Sequence, residues 1–210
     1  MLANVVISTL AVCIPSTFLA VLIGVSAGYF LKVKRFKYRK ILIRIVYTLS
    51  GLPPVLAGLL IYILFSRKGP LGFLDMLFTK WAMIITQVIL IVPIVMLYTL
   101  SGLKNIDKVL ENLDYLNIKG RKRYTAIMKE YSKEIMYAIV LGLSRSISEV
   151  GGVLIVGGNI EGSTRILTTA IIFEITKGEF SNALLLGAAL LAISFTFNTF
   201  LQILQGDVVD

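Results

Sequence analysis

Two charged residues, Arg145 and Glu149, interrupt the otherwise apolar stretch 135–157 and are the side chains best placed for chemistry. Residues four apart share one helix face, so the two can form an ion pair. A charge in such a segment is costly unless it is paired or solvated. Two interpretations stay open: a structural ion pair, or an Arg145 that draws anions along a polar path while Glu149 stays paired. Ser146 lies between them and suits either that path or close helix packing.

The residue types that usually perform catalysis are almost missing from the chain. It has no His and one Cys, Cys13. His is the commonest general base and a frequent metal ligand, and one Cys excludes an internal disulfide and a Cys-rich metal site. The glycines of 152–158 lack the Lys-Ser/Thr ending of a nucleotide-binding loop. We therefore predict a chain that is not an enzyme and binds no metal or cofactor itself.

The composition places these residues in a membrane. Hydrophobic residues make up 57% of the 210 residues and charged residues 16%, against about a quarter in soluble domains. A membrane helix needs roughly 20 apolar residues. The sequence predicts an all-α, polytopic membrane helix bundle in a single domain, 1–210. Its five transmembrane helices are expected at 4–31, 42–65, 81–103, 135–157 and 182–205.

The basic residues predict the orientation of these spans. Residues 32–44 carry seven basic residues and no acid, and residues 104–134 are also rich in Lys and Arg. Cytoplasmic loops carry this excess, so the N-terminus is expected outside and the C-terminus in the cytoplasm. The net charge of +9 then reflects topology and contact with lipid headgroups. Nucleic-acid binding is disfavoured because these short loops offer no reading domain.

Prolines and threonines mark two further candidate features. Pro53 and Pro54 each remove a backbone donor, so the second span must break or kink there, either to serve a gate or only to shape the bundle. Residues 164–176 would form a helix of about 20 Å, too short to span. We expect a short external interfacial or re-entrant helix. Its hydroxyls, Thr164, Thr168 and Thr169, suit a gate for an oxyanion, although Thr is also common on ordinary interfacial helices.

The loop 104–134 has helical periodicity of its own. Apolar residues recur at near-helical spacing over 107–118, and a second stripe covers 124–131. Asn117 and Gly120 can end the first helix. The loop is either a solvated connector or a docking site for a cytoplasmic partner. Its length favours docking, because connectors of about 30 residues are uncommon.

The same loop resembles the EAA motif of the permeases of ABC importers. Glu111, Asn117 and Ile127 stand at the motif's Glu, Gly and apolar positions, while Asn112 and Leu113 replace its two alanines. A broader resemblance covers nearly the whole chain. The stretches 51–58, 69–87, 144–160 and 164–172 are similar to permeases of molybdate and tungstate importers, and the first two to the tungstate type in particular.

The resemblance implies a type I ABC-importer transmembrane fold and a permease of the cell membrane that moves an oxyanion by alternating access. Tungstate is the first expectation and molybdate the second. The implied partners are a second copy of the chain, a cytoplasmic ATPase dimer that holds ATP and Mg, and an external binding protein docking on loops 67–80 and 159–180. The candidate contacts with the ATPase are Glu111, Asn112, Asp114, Tyr115, Asn117 and Gly120.

Other transport functions remain as alternatives. The same fold could carry another anion such as sulfate. A channel or secondary transporter that needs no ATPase would more often show intramembrane acids or inverted repeats, and this chain has one such acid and no evident repeat.

Overall fold

The computed structural model describes residues 2–103 and 106–204, and over these residues it is helical without a β-strand. A short 3₁₀ turn, Gly72–Leu74, lies between α3 and α4. The α-helices in chain order are α1 (Leu2–Val33), α2 (Arg39–Ser50), α3 (Pro54–Phe65), α4 (Lys80–Gly102), α5 (Ile106–Tyr115), α6 (Gly120–Glu130), α7 (Ser132–Ile147), α8 (Gly151–Gly157), α9 (Leu167–Thr176) and α10 (Phe180–Leu204).

Three of these helices are long and apolar enough to cross a membrane: α1, α4 and the Phe180–Phe200 part of α10. Two further spans are possible only if a bent pair counts as one. The α2–α3 pair bends by 102° and the α7–α8 pair by 55°. The predicted spans 42–65 and 135–157 are therefore not single helices. The sequence anticipated a break in the first, whereas the break in the second was not predicted.

The first break has a direct covalent cause. Pro53 is extended, with φ −60° and ψ 128°, and Pro54 is the first residue of α3. A proline ring clashes with a preceding helical turn and offers no N–H, so α2 cannot continue through this pair. Proline is well tolerated at the first helical position, where the missing N–H has no intrahelical partner. The pair therefore starts α3 in a new direction.

The second break lies against the first. Helix α7 ends at Ile147 and α8 begins at Gly151, directly beside the start of α3. A Cβ atom added to Gly58 would lie 2.8 Å from the Cα of Gly152, and one added to Gly152 would lie 2.9 Å from the carbonyl oxygen of Pro54. Glycine at both positions lets the two backbones touch. Small residues at such contacts are the usual means by which membrane helices pack.

Helix α4 forms the centre of the bundle and packs against α1, α7 and α8. Its contact with α1 is close because Gly24 and Gly28 face Val95 and Thr99. Added Cβ atoms would lie 2.8 and 2.9 Å from those side chains. The isolated chain leaves large apolar side chains exposed along α1, α3 and α10, as expected where lipid or another protein covers them.

The short apolar helix begins later along the chain than predicted, and its first residues are more buried than those of an interfacial helix would be. It was expected over 164–176, and α9 starts at Leu167. Residues 164–170 are all buried, where α9 packs against α10 and α1. Of the two predicted alternatives, burial against α1 and α10 favours a re-entrant helix over an interfacial one. Helix ends at membrane depth are tolerated when protein surrounds them.

Candidate transport and coupling sites

Arg145 and Glu149 form an ion pair at the break between α7 and α8. The Nη2 atom of Arg145 lies 3.1 Å from Oε2 of Glu149. The carboxylate is 2% exposed, whereas the Arg145 side chain is 30% exposed. Arg145 lies about 20 Å along α7 from its first residue, Ser132, close to the bend between α7 and α8. The pair neutralises the buried acid and leaves the guanidinium edge at the surface of the protomer.

Glu149 also ties three helices together. Its Oε1 atom accepts a hydrogen bond from the N–H of Gly152 at 3.0 Å, at the start of α8. Its backbone carbonyl accepts a hydrogen bond from the hydroxyl of Thr168 on α9, also at 3.0 Å. Through Arg145 the same residue is held to α7. Glu149 therefore supports the junction of α7, α8 and α9 in addition to balancing a charge.

Ser146 lies inside the protomer and faces away from any outer surface. Its hydroxyl donates to Oε1 of Gln87 at 2.9 Å, and Nε2 of Gln87 donates to the Ser146 carbonyl at 3.1 Å. Ser16 joins the same cluster, with its hydroxyl 2.5 Å from Gln87 Oε1. All three side chains are buried between α1, α4 and α7. In this arrangement Ser146 fastens three helices and has no access to a path.

The three candidate gate threonines are also engaged within the protein. Thr164, just before α9, donates to the Gly157 carbonyl and accepts from the N–H of Ile160. Thr168 holds Glu149, and Thr169 accepts from the N–H of Ile166 at 3.1 Å, which caps the start of α9. Each hydroxyl in this conformation is committed to the backbone at a loop or a helix end.

A groove along α4 is lined by hydroxyl groups that were not among the predicted site residues. Its first part is about 450 Å³ and lies between α2 and α4, and its second part, about 280 Å³, lies between α4 and α7. Tyr98 and Ser101 line both parts. We call this the tyrosine groove, and its hydroxyl-bearing residues are Tyr47, Ser50, Tyr98, Ser101 and Tyr137.

The tyrosine groove leads towards Arg145. Leu141 lines the groove, and Arg145 lies one turn further along the same face of α7. The exposed Ser148 follows on that face. A signal for this arrangement was present in the sequence, because Tyr137, Arg145 and Ser148 recur with helical spacing in an apolar segment. The partners on α2 and α4 required knowledge of how the helices pack.

The predicted coupling region is built as two short helices. Glu111, Asn112, Asp114 and Tyr115 lie on α5 and are exposed, and Gly120 begins α6. Tyr115 is 92% exposed, and the next residue, Leu116, is also exposed. An aromatic and an aliphatic side chain at the tip of a charged helix are typical of a protein contact.

The turn after α5 explains why Asn stands where the EAA motif has Gly. Asn117 has a positive φ of 53°. The N–H of Ile118 bonds to the Leu113 carbonyl at 2.8 Å, and that of Asn117 bonds to the Asp114 carbonyl at 3.0 Å. These two bonds define a Schellman turn, which needs a left-handed residue. After Gly, Asn is among the residues that adopt this conformation most readily.

Helices α5 and α6 contact each other and the neighbouring ends of α4 and α7. Asp114 on α5 forms a two-pronged salt bridge with Arg123 on α6. Beneath it lies an apolar cluster whose buried members are Leu103, Ile106, Leu113, Ile127 and Tyr131. Burial, and then the Glu130 and Glu134 carboxylates, raise the pKa of Tyr131, so its phenol stays neutral at physiological pH. The cluster thus connects α5 to the end of α4 and the start of α7.

Known proteins with similar sequences agree with this architecture. The chain is 37% identical over 191 residues to a tungstate uptake system permease protein, TupB, of Peptoclostridium acidaminophilum, covering 90% of this chain and 84% of the relative. It is 36% identical over 199 residues to a probable anion ABC transporter permease protein of Haloferax volcanii, covering 91% and 83%. TupB of Campylobacter jejuni is 36% identical over 168 residues, covering 78% and 69%.

A family model gives the same assignment. Residues 20–209 match the family of binding-protein-dependent transport system inner membrane components. The match includes the broken helices, the groove and helices α5 and α6, and it confirms the resemblance to ABC-importer permeases. This chain is a multi-pass membrane protein that belongs to the family of inner membrane components of binding-protein-dependent transport systems.

Proposed function

We propose that the chain is the permease subunit of an ATP-driven importer of a tetrahedral oxyanion, with tungstate as the first candidate and molybdate as the second. The observation that carries the proposal is the exposed helix α5, which is seated on the inner ends of α4 and α7. The relatives with 36–37% identity over most of their length include two tungstate permeases. Permeases named for sulfate and molybdenum are more distant, at 27% and 24% identity.

In this proposal, α5 is the element that contacts a separate ATPase. Tyr115 and Leu116 enter a groove on the ATPase, and the acids of α5 pair with basic residues around it. Because Asp114 is held by Arg123, the helix arrives already ordered, which lowers the entropy lost on binding. ATP and Mg belong to the ATPase, and this chain binds no cofactor.

Closure of the ATPase dimer would move the coupling helices of two permease copies. The rigid cluster beneath α5 passes that movement to α4 and α7, and these helices meet the remaining elements at the two helix breaks. Backbone breaks are natural places for a membrane helix to change direction. We propose that two copies alternate between inward-facing and outward-facing arrangements about these breaks.

The substrate path is proposed to run between the two copies, on the face that carries Arg145. A guanidinium that is 30% exposed within the predicted span 135–157 is costly in hydrocarbon but stable beside water or protein. Its charge favours an anion, and the pair with Glu149 keeps the attraction moderate. A positively charged loop, 32–44, then lies on the cytoplasmic side, and an external binding protein would dock on the opposite side.

Substitution of the coupling tip tests the assignment. Tyr115→Ala should reduce both the amount of ATPase that copurifies with the permease and the ATP-dependent uptake of tungstate. Tyr38→Ala is the control, because Tyr38 is also an exposed tyrosine but lies in the loop 32–44. Failure of the unaltered chain to copurify with any ATPase, together with normal uptake by Tyr115→Ala, would refute the proposal.

A further inference from the structure

We infer that the tyrosine groove is the cytoplasmic exit route of the transported oxyanion, an inference that rests on the proposed function. The groove lies on the same surface of the protein as Arg145. Arg145 is partly exposed within the predicted span 135–157, so its face of α7 borders water or protein. Leu141 and Tyr137 continue that face towards the cytoplasm and line the groove. The groove therefore opens onto the same medium as Arg145.

The groove is lined by neutral hydrogen-bond donors. Three phenols and the Ser101 hydroxyl offer O–H donors to the oxygens of a tetrahedral anion, whereas the Ser50 hydroxyl donates to the Tyr47 carbonyl at 2.8 Å. Among the residues that the structure describes, no Lys or Arg lines either part of the groove. Neutral donors can replace part of the anion's hydration without holding it tightly. Passage through a pore requires such binding, favourable enough for entry and weak enough for release.

The charges at the inner end of the groove fit an exit. Lys40 and Arg44 lie seven and three positions before Tyr47 and so share its stripe on α2. They place two positive charges on α2 beyond the groove. Glu134 lines the groove next to Gly102 and supplies one negative charge there. An acid at this end opposes retention of an anion and favours its release.

Tyrosines also collect at membrane interfaces, where they contact lipid headgroups. The labelling of single cysteines distinguishes a water-filled groove from a lipid-filled one. The native Cys13 is buried and is the chain's one cysteine, so an added thiol can be read separately. Ser101→Cys and Tyr137→Cys place thiols in the groove. Thr125→Cys is an exposed cytoplasmic control, and Leu191→Cys, on a residue 72% exposed on α10, is a control for a lipid-facing position.

The experiment uses the complete complex with its ATPase in inside-out vesicles during ATP turnover. A membrane-impermeant, negatively charged thiosulfonate should label the two groove cysteines and the Thr125→Cys control, and tungstate should slow labelling in the groove alone. Leu191→Cys should react only with an uncharged maleimide that enters lipid. The inference is overturned if the groove cysteines behave like Leu191→Cys or react with neither reagent.

A second variant tests the hydroxyls themselves. Tyr98→Phe combined with Tyr137→Phe removes two donors and keeps the ring volumes, so tungstate uptake should fall roughly fivefold or more while the ATPase still copurifies. Tyr38→Phe, outside the groove, should leave uptake unchanged. If the unaltered complex imports tungstate and the double variant imports it equally well, the groove is not the route although the importer assignment stands. If the unaltered complex imports nothing, the proposed function itself fails.

Discussion

Glu149 is the residue on which most of the proposed transport site depends. Its side chain balances Arg145 and holds the first turn of α8, and its carbonyl holds Thr168. The carboxylate is 2% exposed, and the Arg145 guanidinium and the Gly152 N–H lie beside it in place of water. The Arg145–Glu149 pair therefore combines a structural role with a proposed role in transport. Variants that neutralise one residue or both can distinguish these roles.

We expect Arg145→Gln to destabilise the protein by about 3 kcal/mol, because it leaves the Glu149 charge buried without its partner. The combined change Arg145→Gln with Glu149→Gln should recover most of that loss, since no uncompensated charge remains. Thermal unfolding of the purified complex measures both. If Arg145 attracts the anion, the double variant folds yet does not transport. Full uptake by the double variant would rule out that role.

This bundle differs from a set of straight spans because two of its helix pairs are broken and pack against each other at the breaks. The contact of α3 with α8 relies on Gly58 and Gly152, whose backbones are too close for a Cβ atom. This is also where the two bent pairs meet. Because the two backbones touch, a larger side chain at either glycine would force the helices apart.

Gly58→Ala should separate α3 from α8 and destabilise the protein by about 1–3 kcal/mol, the usual cost of overpacking. Uptake should fall because both helix breaks shift. Gly187→Ala on α10 is the matched control, because a Cβ there meets nothing within 4 Å. Equal unfolding temperatures for the two variants would contradict the proposed importance of this contact.

The turn after α5 gives a prediction about coupling. Asn117→Val should cost about 1–2 kcal/mol, because a side chain branched at Cβ resists a positive φ. Asn117→Gly should be tolerated, since Gly adopts that conformation freely. The measured quantity is the ATPase retained per permease during purification. Retention by Asn117→Val equal to that by Asn117→Gly would show that the turn does not position α5.

How much of these elements could be predicted from the sequence depends on whether the cause is local. Proline chemistry at 53–54 and the end of α5 at Asn117 are local and were anticipated. The break at Glu149 was not, because it depends on the close approach of α3 to Gly152 and on Thr168, which the fold brings to Glu149 from 19 positions away. Likewise, the sequence alone made Ser146 a candidate for the path, whereas its hydrogen bonds with Gln87 and Ser16 hold it in the core.

At the scale of the whole molecule, charge and apolar surface together predict how the chain lies in the membrane. The basic loop 32–44 and the coupling helices are at one end of the bundle, and the loop before α9 is at the other end. The rule that basic loops stay inside places the first end in the cytoplasm.

Labelling in intact cells tests this orientation. Ser163→Cys, in the exposed loop before α9, should react with an impermeant thiol reagent from outside. Thr125→Cys should react only after the membrane is permeabilised. The reverse pattern would invert the topology and remove α5 from the side where an ATPase acts.

The central claim is that ATP hydrolysis by a partner drives an oxyanion through this chain. It is tested most directly by reconstituting the permease with its ATPase and binding protein in sealed vesicles and measuring the tungstate transported. We predict accumulation against a gradient that requires ATP and stops when Tyr115 is replaced by Ala. Accumulation that proceeds without ATP, or that needs no ATPase subunit, would contradict the account.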